Sequence, residues 1–303
     1  MPSLRDLVIL GSSCLQPTLQ RNHGAYLIRW RGEGLLFDPG DGTQRQLLFA
    51  HIAPSSLTRI FISHFHGDHC LGLGAILMRL NIDKVHHPIH CYFPASGKLF
   101  FDRLRFGCVY SDSLNLIEHP ISEEGVIHED ANFCIEAAFL DHRIESIGWR
   151  ITEPDHRCFN GEALKRYHIA GPLVRQIKEA GFLEIDGQRI DLNEVSSIRS
   201  GDSVAVVMDT LPCRSAVHLA RRARLLLSES TYLEEHRELA AAYCHLTAKQ
   251  AARMALEAEA ELLVLTHFSA RYPNAQPLVE EARSLFPNVI AAEDLKIIPF
   301  PSL

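Results

Sequence analysis

The stretch that most constrains this chain is Ile60-Phe61-Ile62-Ser63-His64-Phe65-His66-Gly67-Asp68-His69. Residues 60–62 form the apolar, largely β-branched run that a buried strand requires, and the run stops at Ser63. Three imidazoles and one carboxylate follow within six residues, a density that asks for a metal. Neutral histidine nitrogens and carboxylate oxygens are the donors of zinc-type hydrolytic sites. The spacing lets one turn present His64 and His66 to one ion and Asp68 and His69 to a second. Gly67 supplies the backbone freedom for so tight a turn. A histidine-rich surface loop is the plain alternative, and the junction of a buried strand with a helix argues against it.

At 303 residues the chain is long enough for one large α/β domain with ample core. Its first residues carry charge at Arg5 and Asp6, and the apolar run behind them is too short for a signal peptide, so a first strand and a cytoplasmic location are expected. The eight cysteines show no paired spacing, which predicts reduced thiols and leaves metal binding to His and Asp. A formal charge of -7 makes no global case for nucleic acid; such a partner needs a local basic surface.

Strands are expected at residues 7–10, 25–28, 34–37, 60–62, 133–140, 146–151, 203–208, 225–227, 261–266 and 295–299. Helical spacing covers residues 44–53, with Leu47, Leu48 and Ile52 on one face. A buried helix is expected over residues 71–80, its first turn beginning near Asp68 and His69. Further helices are expected near residues 96–106, 214–223, 248–260 (with Thr247 as N-cap) and 278–286. Residues 153–191 break the pattern: glycines punctuate them, Arg157, Lys165, Arg166, Arg175, Lys178 and Arg189 lie among them, and continuous hydrophobic patterning is lacking, so they read as an insertion.

Candidate ligands stand after four separate strands: the cluster at His64, then His142, Asp209 and His267. Alone, each of the last three would pass for a hydrogen-bonded or solvated residue. Together with His64, His66, Asp68 and His69 they make seven, about the number that two zinc ions sharing a carboxylate need if each keeps a place for water or substrate. Two such ions favour phosphoryl hydrolysis over redox work. Asp38 and Asp41 are expected to support the ligating histidines, and His86, His87 and His90 to lie in a solvated turn.

Several further motifs agree in order. They are Phe37-Asp38-Pro39-Gly40-Asp41-Gly42-Thr43-Gln44, Pro17-Thr18-Leu19-Gln20-Arg21-Asn22, Gly171-Pro172-Leu173, Ser228-Glu229-Ser230-Thr231 with His245, and Thr266-His267-Phe268-Ser269-Ala270-Arg271. With them the chain resembles ribonuclease Z, the tRNA 3′-processing endonuclease family among the metallo-β-lactamase-fold hydrolases. Leu19 stands where that family usually has lysine, and Ser228 where its H-E-A-T element has histidine.

The resemblance and the strand placements imply an α/β (α+β) fold, a four-layer αββα sandwich of the metallo-β-lactamase type. Residues 1–303 form one domain, with 153–191 as a flexible arm that grips tRNA. Implied with it are two Zn2+ per subunit, though another divalent metal suits the same donors, and a homodimer acting on precursor tRNA away from any membrane. The resemblance casts Asp68, Glu229 and His245 as catalytic, with Asp209 shared between the ions. Arg21, Asn22, Gly171, Pro172, Thr210, Ser269 and Arg271 become candidate substrate contacts, a loop hydrogen-bond network being the alternative for Thr210, Ser269 and Arg271. Competing functions are a phosphodiesterase or other small-molecule hydrolase, and a non-catalytic metal-stabilised RNA-binding protein.

Overall fold

A computed structural model describes residues 5–301. The chain divides into two compact units, one made by the stretches up to Ile151 and from Ser203 onward, the other Thr152–Asp202. The first unit begins with β1 (Arg5–Gly11), β2 (Ala25–Trp30), β3 (Glu33–Phe37), α1 (Thr43–Phe49), β4 (Leu57–Phe61), α2 (Gly67–Cys70) and α3 (Leu73–Ile82). There follow β5 (Ile89–Pro94), α4 (Lys98–Arg105), β6 (Leu116–Ile121), β7 (Gly125–Glu129), β8 (Cys134–Leu140) and β9 (Ser146–Thr152). The second unit holds β10 (His156–Phe159), α5 (Gly161–Arg166), α6 (Pro172–Ala180), β11 (Phe182–Ile185), β12 (Gln188–Asp191), α7 (Leu192–Val195) and β13 (Ser196–Arg199). The chain then returns to the first unit with β14 (Ser203–Val207), α8 (Arg214–Ala220), β15 (Leu225–Glu229), α9 (Arg237–Tyr243) and α10 (Ala248–Glu257). It closes with β16 (Leu263–Thr266), α11 (Gln276–Arg283), β17 (Val289–Ala291) and β18 (Ile297–Pro299). No helix among the described residues is long and apolar enough to cross a membrane.

The continuous apolar run of β1 explains the layering. Leu7 and Ile9 pack into the core between the sheets, while Val8 and Leu10 face the opposite way, into a core with Leu73, Ile76, Leu77 and Leu80 of α3. Alternate residues of a strand point to opposite faces, so a strand apolar at every position is covered on both. One seven-stranded sheet has the order β18-β1-β2-β3-β4-β5-β6 and the other β17-β16-β15-β14-β9-β8-β7. The two sheets share a core that continues into residues of α8, α10 and α11, giving the αββα sandwich. Across it Trp149 of β9 meets Phe61 of β4 edge-on at 5.3 Å, and Phe61 is stacked between Phe37 and Tyr92. Strands β3 to β6 run parallel, as do β14 to β17, so each set ends its strands at one edge. Ligand sites in α/β sheets form outside such carboxyl ends.

The second unit goes beyond one sequence expectation. Residues 153–191 carry little continuous hydrophobic pattern, yet the scattered Ala163, Ile169, Ile177, Ile190 and Val195 make a small core of their own, and the unit extends to Asp202. Two antiparallel pairs, β10 with β13 and β11 with β12, frame it. Gly171 takes a positive φ of 52° just before Pro172 opens α6, so this pair directs a helix start.

Two helices also differ from their expected bounds. The helix expected over residues 44–53 stops at Phe49, leaving Leu47 buried and Leu48 54% exposed, while Ile52 reaches the core from the following turn. The helix expected over residues 71–80 is split from α2 at Leu71 and Gly72. Here the Asp38 to Gly42 turn crosses so closely that a Cβ at Gly72 would collide with the Gly40 carbonyl oxygen, and Gly72 N donates to Pro39 O.

Candidate metal centre

The seven sequence-predicted ligands come together in two groups. His64, His66, Asp68 and His69 lie on and just before α2, where β4 ends; His142 follows β8, Asp209 follows β14 and His267 follows β16. His267 sits at φ 59°, a turn that aims its ring back across the strand ends.

In the first group His64 Nε2 and His66 Nδ1 are 2.9 Å apart, and His142 Nε2 is 3.4 Å from His66 Nδ1. Asp209 Oδ2 is 3.5 Å from His64 Nε2 and 3.8 Å from His142 Nε2. In the second, His69 Nε2 and His267 Nε2 are 3.1 Å apart. Asp68 Oδ2 lies 3.6 and 3.4 Å from those two nitrogens, and Asp209 Oδ1 3.4 and 3.3 Å from them. Four donors at about 2.0–2.1 Å from a zinc-type ion form a tetrahedron with edges of about 3.3–3.4 Å. The first group and the His69, His267 and Asp209 triplet of the second lie close to that spacing, with one oxygen of Asp209 facing each group and Asp68 flanking the second. Among the described residues, Asp209 Oδ1 is a buried oxygen without a hydrogen-bond donor, as expected of an atom meant for a cation.

Outer partners fix which ring nitrogen faces inward. Ser63 Oγ lies 2.9 Å from His64 Nδ1, and Asp38 Oδ2 lies 2.8 Å from His69 Nδ1. Cys244 O lies 3.0 Å from His142 Nδ1, and Thr231 Oγ1 3.0 Å from His267 Nδ1. Such contacts set the tautomer and orientation of ligating imidazoles. Of the two aspartates proposed for support, Asp38 is the one that braces the site, also accepting from Ser63 N and Oγ; Asp41 is exposed and offers its backbone oxygen to Asn22.

The electrostatics suit cations. Burial pushes His64 down to about 4, keeping the ring in its neutral, ligating form. His69 is buried too, which alone would lower it, but Asp209 and Asp68 outweigh burial and raise it well above the ordinary value. The same carboxylate field draws a positive ion into the second group. Asp209, whose burial would raise its pKa, is held well below the usual carboxylate range by His267, His69, His245 and His64.

Beside the second group stands a separate pair. His245 Nδ1 is 3.1 Å from Glu229 Oε1 at the end of β15. The fully buried Glu229 is fixed by Thr210 N on Oε1 and by Thr231 Oγ1 on Oε2. Burial would lower His245, yet Glu229 and Asp209 raise it to about 9, so it carries its proton at neutral pH. Its placement depends on elements that sequence reasoning missed: α9, and Cys244 in a left-handed turn at φ 59° ending it. Ser228, buried beneath, donates to the carbonyl oxygen of Glu229.

The remaining candidates are placed differently. Arg21 is 9% exposed, donates to Tyr272 O and lies over the Phe268 ring. Asn22 ties its own loop to Asp41 O and Asp294. Thr210 is fully buried and its hydroxyl donates to Leu211 O. These three brace the loops around the centre. Ser269 accepts from Arg271 N, and the Arg271 side chain is exposed. Leu19 is 99% exposed. Of the expected solvated turn, His90 instead belongs to β5, half-buried against His119 at 2.9 Å. Its alternation with Ile89 and Cys91 was the available signal.

The chain is similar to known proteins along its whole length. The Metallo-beta-lactamase superfamily pattern matches residues 20–135. Ribonuclease Z of Protochlamydia amoebophila is 62% identical over 298 residues, covering 98% of this chain and 97% of that protein. Ribonuclease Z of Chlamydia muridarum is 57% identical over 299 residues, covering 99% and 98%. Among solved structures, the short form of human tRNase Z superposes with a TM-score of 0.71 at 25% identity, covering 98% of this chain and 100% of that one. Full-length identity of this order, with the family pattern and the shared fold, places the chain in the ribonuclease Z family of the metallo-β-lactamase superfamily.

Proposed function

We propose that this chain is a metal-dependent endoribonuclease that removes 3′ trailers from tRNA precursors and leaves a 3′-hydroxyl on the tRNA, with two zinc ions held by His64, His66, His142, Asp209, Asp68, His69 and His267. The observation that carries the reading is the Glu229–His245 pair beside two donor groups in a chain matching ribonuclease Z along its length. When bound, a pair of such ions lowers the pKa of water and neutralises charge on the phosphate.

The chain's own residues supply the rest. Asp68, kept ionised despite burial by His69 and His267, accepts from Leu15 N and serves as the site's second carboxylate. Protonated His245, aimed by Glu229, delivers a proton to the departing ribose oxygen; that role needs a donor still charged at neutral pH. Exposed Arg271 is the best placed of the candidate phosphate contacts, and the exposed Lys165, Arg166 and Lys178 are the second unit's candidates for contacts with the tRNA backbone.

A homodimer in the cytoplasm completes the proposal. Leu48, Phe49, Leu99 and Phe100, exposed on α1 and α4, are apolar side chains that a partner subunit could cover. Light scattering at micromolar concentration tests that part, and a monomer overturns it.

For the activity, purified protein is incubated with a trailer-bearing precursor, with and without chelator. Cleavage that chelation abolishes and zinc restores is the expected result. Uncut precursor at full zinc occupancy overturns the reading.

A further inference from the structure

Cys14 lies in the loop between β1 and β2, and this loop is fastened to the second donor group from both sides. Ser13 forms bridges to His23 and Phe268, and Cys14 N donates to Phe268 O at 3.0 Å, directly after His267. One residue on, Leu15 N donates to Asp68 Oδ2 at 2.7 Å, with Leu15 held at φ 52°. The backbone around Cys14 is thus tied to the chain segments of two predicted ligands, and a left-handed residue of this kind persists when its surroundings enforce it.

The side chain follows. Cys14 Sγ, a carboxylate oxygen of Asp68 and a ring nitrogen of His267 all lie within 4.8 Å of one another. Cys14 is partly exposed as a residue, whereas Asp68, His69, Asp209 and His267 are buried, and burial together with the carboxylates of Asp209 and Asp68 raises its thiol well above the ordinary value while no ion is bound. It is a free cysteine. An independent observation marks the same spot: Asp209 Oδ1, in a residue 2% exposed, has no hydrogen-bond donor among the described residues and lies 3.3 Å from His267 Nε2.

We propose that Cys14 is a fifth donor to the second ion, adding a thiolate to His69, His267, Asp68 and Asp209 and biasing that position toward zinc-type ions. The inference rests on the two-ion reading above. As the sulfur–metal bond forms, the thiol proton leaves to solvent; the thiolate is the ligating form. Zinc accepts a fifth ligand, and soft sulfur discriminates against manganese and magnesium, which prefer oxygen. The seven His and Asp donors alone leave that choice open.

Cobalt(II) titration of metal-free protein provides a readout independent of turnover. With two equivalents bound, the wild type is expected to show a near-ultraviolet thiolate-to-cobalt charge-transfer band along with visible ligand-field bands. Cys14→Ser and Cys14→Ala should lose the first and keep the second, with circular dichroism unchanged, and bind the second equivalent at least about tenfold more weakly. In zinc–manganese competition, Cys14→Ser should take up a larger manganese share than the wild type. Two cobalt ions bound without the band, or a band that survives Cys14→Ser, overturns the Cys14 assignment alone. Failure to bind cobalt at all overturns the two-ion reading together with it.

Discussion

A proton donor works only while it holds its proton, and His245 owes that to two carboxylates. Activity should therefore fall as pH rises through the histidine's pKa, raised to about 9 in the ion-free protein. Replacing Glu229 with Gln removes the larger raising charge, so the alkaline limb of the pH–rate profile should move to lower pH; a limb that stays in place removes Glu229 from this role. His245→Ala should lower kcat by roughly 10²–10⁴ with precursor binding retained, measured by single-turnover cleavage beside a gel-shift assay. Asp38→Asn tests the outer contacts, because the carboxylate touching His69 Nδ1 becomes an amide that supports the ring less strongly. Metal affinity should drop by about 10–100-fold, read by competition with a chromophoric chelator. At this scale the donors were legible because four are adjacent and the others end apolar runs. Of what orients them, Asp38 was legible from its place after a strand, whereas Ser63, Thr231 and the Cys244 carbonyl reach their histidines through backbone turns without a sequence signature. Arg21, a candidate substrate contact from the resemblance of its loop, has its guanidinium engaged by Tyr272 O and the Phe268 face.

Between the sheets, the element that joins the two halves is β9 through Trp149. Truncating this fully buried ring, which packs edge-on against Phe61, leaves a cavity at the sheet interface. Trp149→Ala should cost about 3–5 kcal/mol in denaturant unfolding, and a loss below about 1 kcal/mol would contradict its bridging place. Strands buried on both faces were the most legible elements, as Leu7 to Leu10 and Ser203 to Met208 illustrate. The capping box of Thr247 and Gln250 likewise starts α10 where the sequence put it. Helix α9 escaped notice because Arg237 to Tyr243 is a short run with one buried residue, Ala240, and is held by its neighbours rather than by an apolar stripe. The break between α2 and α3 depends on the approach of Gly40, a contact remote in sequence.

On the scale of the whole molecule, the sandwich was legible and the inner order of the insertion was not. Its core residues Ala163, Ile169, Ile177, Ile190 and Val195 come from dispersed positions rather than from a continuous apolar run. Arg157 is bound by Asn193 and Ser196, and Arg175 and Arg189 pair with Glu179 and Asp191, so fewer basic groups are free for RNA than composition suggested. Removing Thr152–Asp202 and joining the ends through a short glycine linker should leave hydrolysis of a small phosphodiester within about twofold while precursor cleavage falls by more than about tenfold, as expected when backbone contacts to nucleic acid are lost. Equal loss of both activities would count against the insertion as a tRNA-binding element. The linker can be short because Glu153 N donates to Asp202 O at 3.0 Å: the insertion leaves and returns through one backbone contact. Loop-closure entropy rises with the length of free chain between fixed ends, and here the ends are already together. The remainder of the fold therefore bears the closure entropy of a tight turn, and lengthening or shortening the insertion beyond that contact carries almost no entropic penalty for the strands that hold the metal centre.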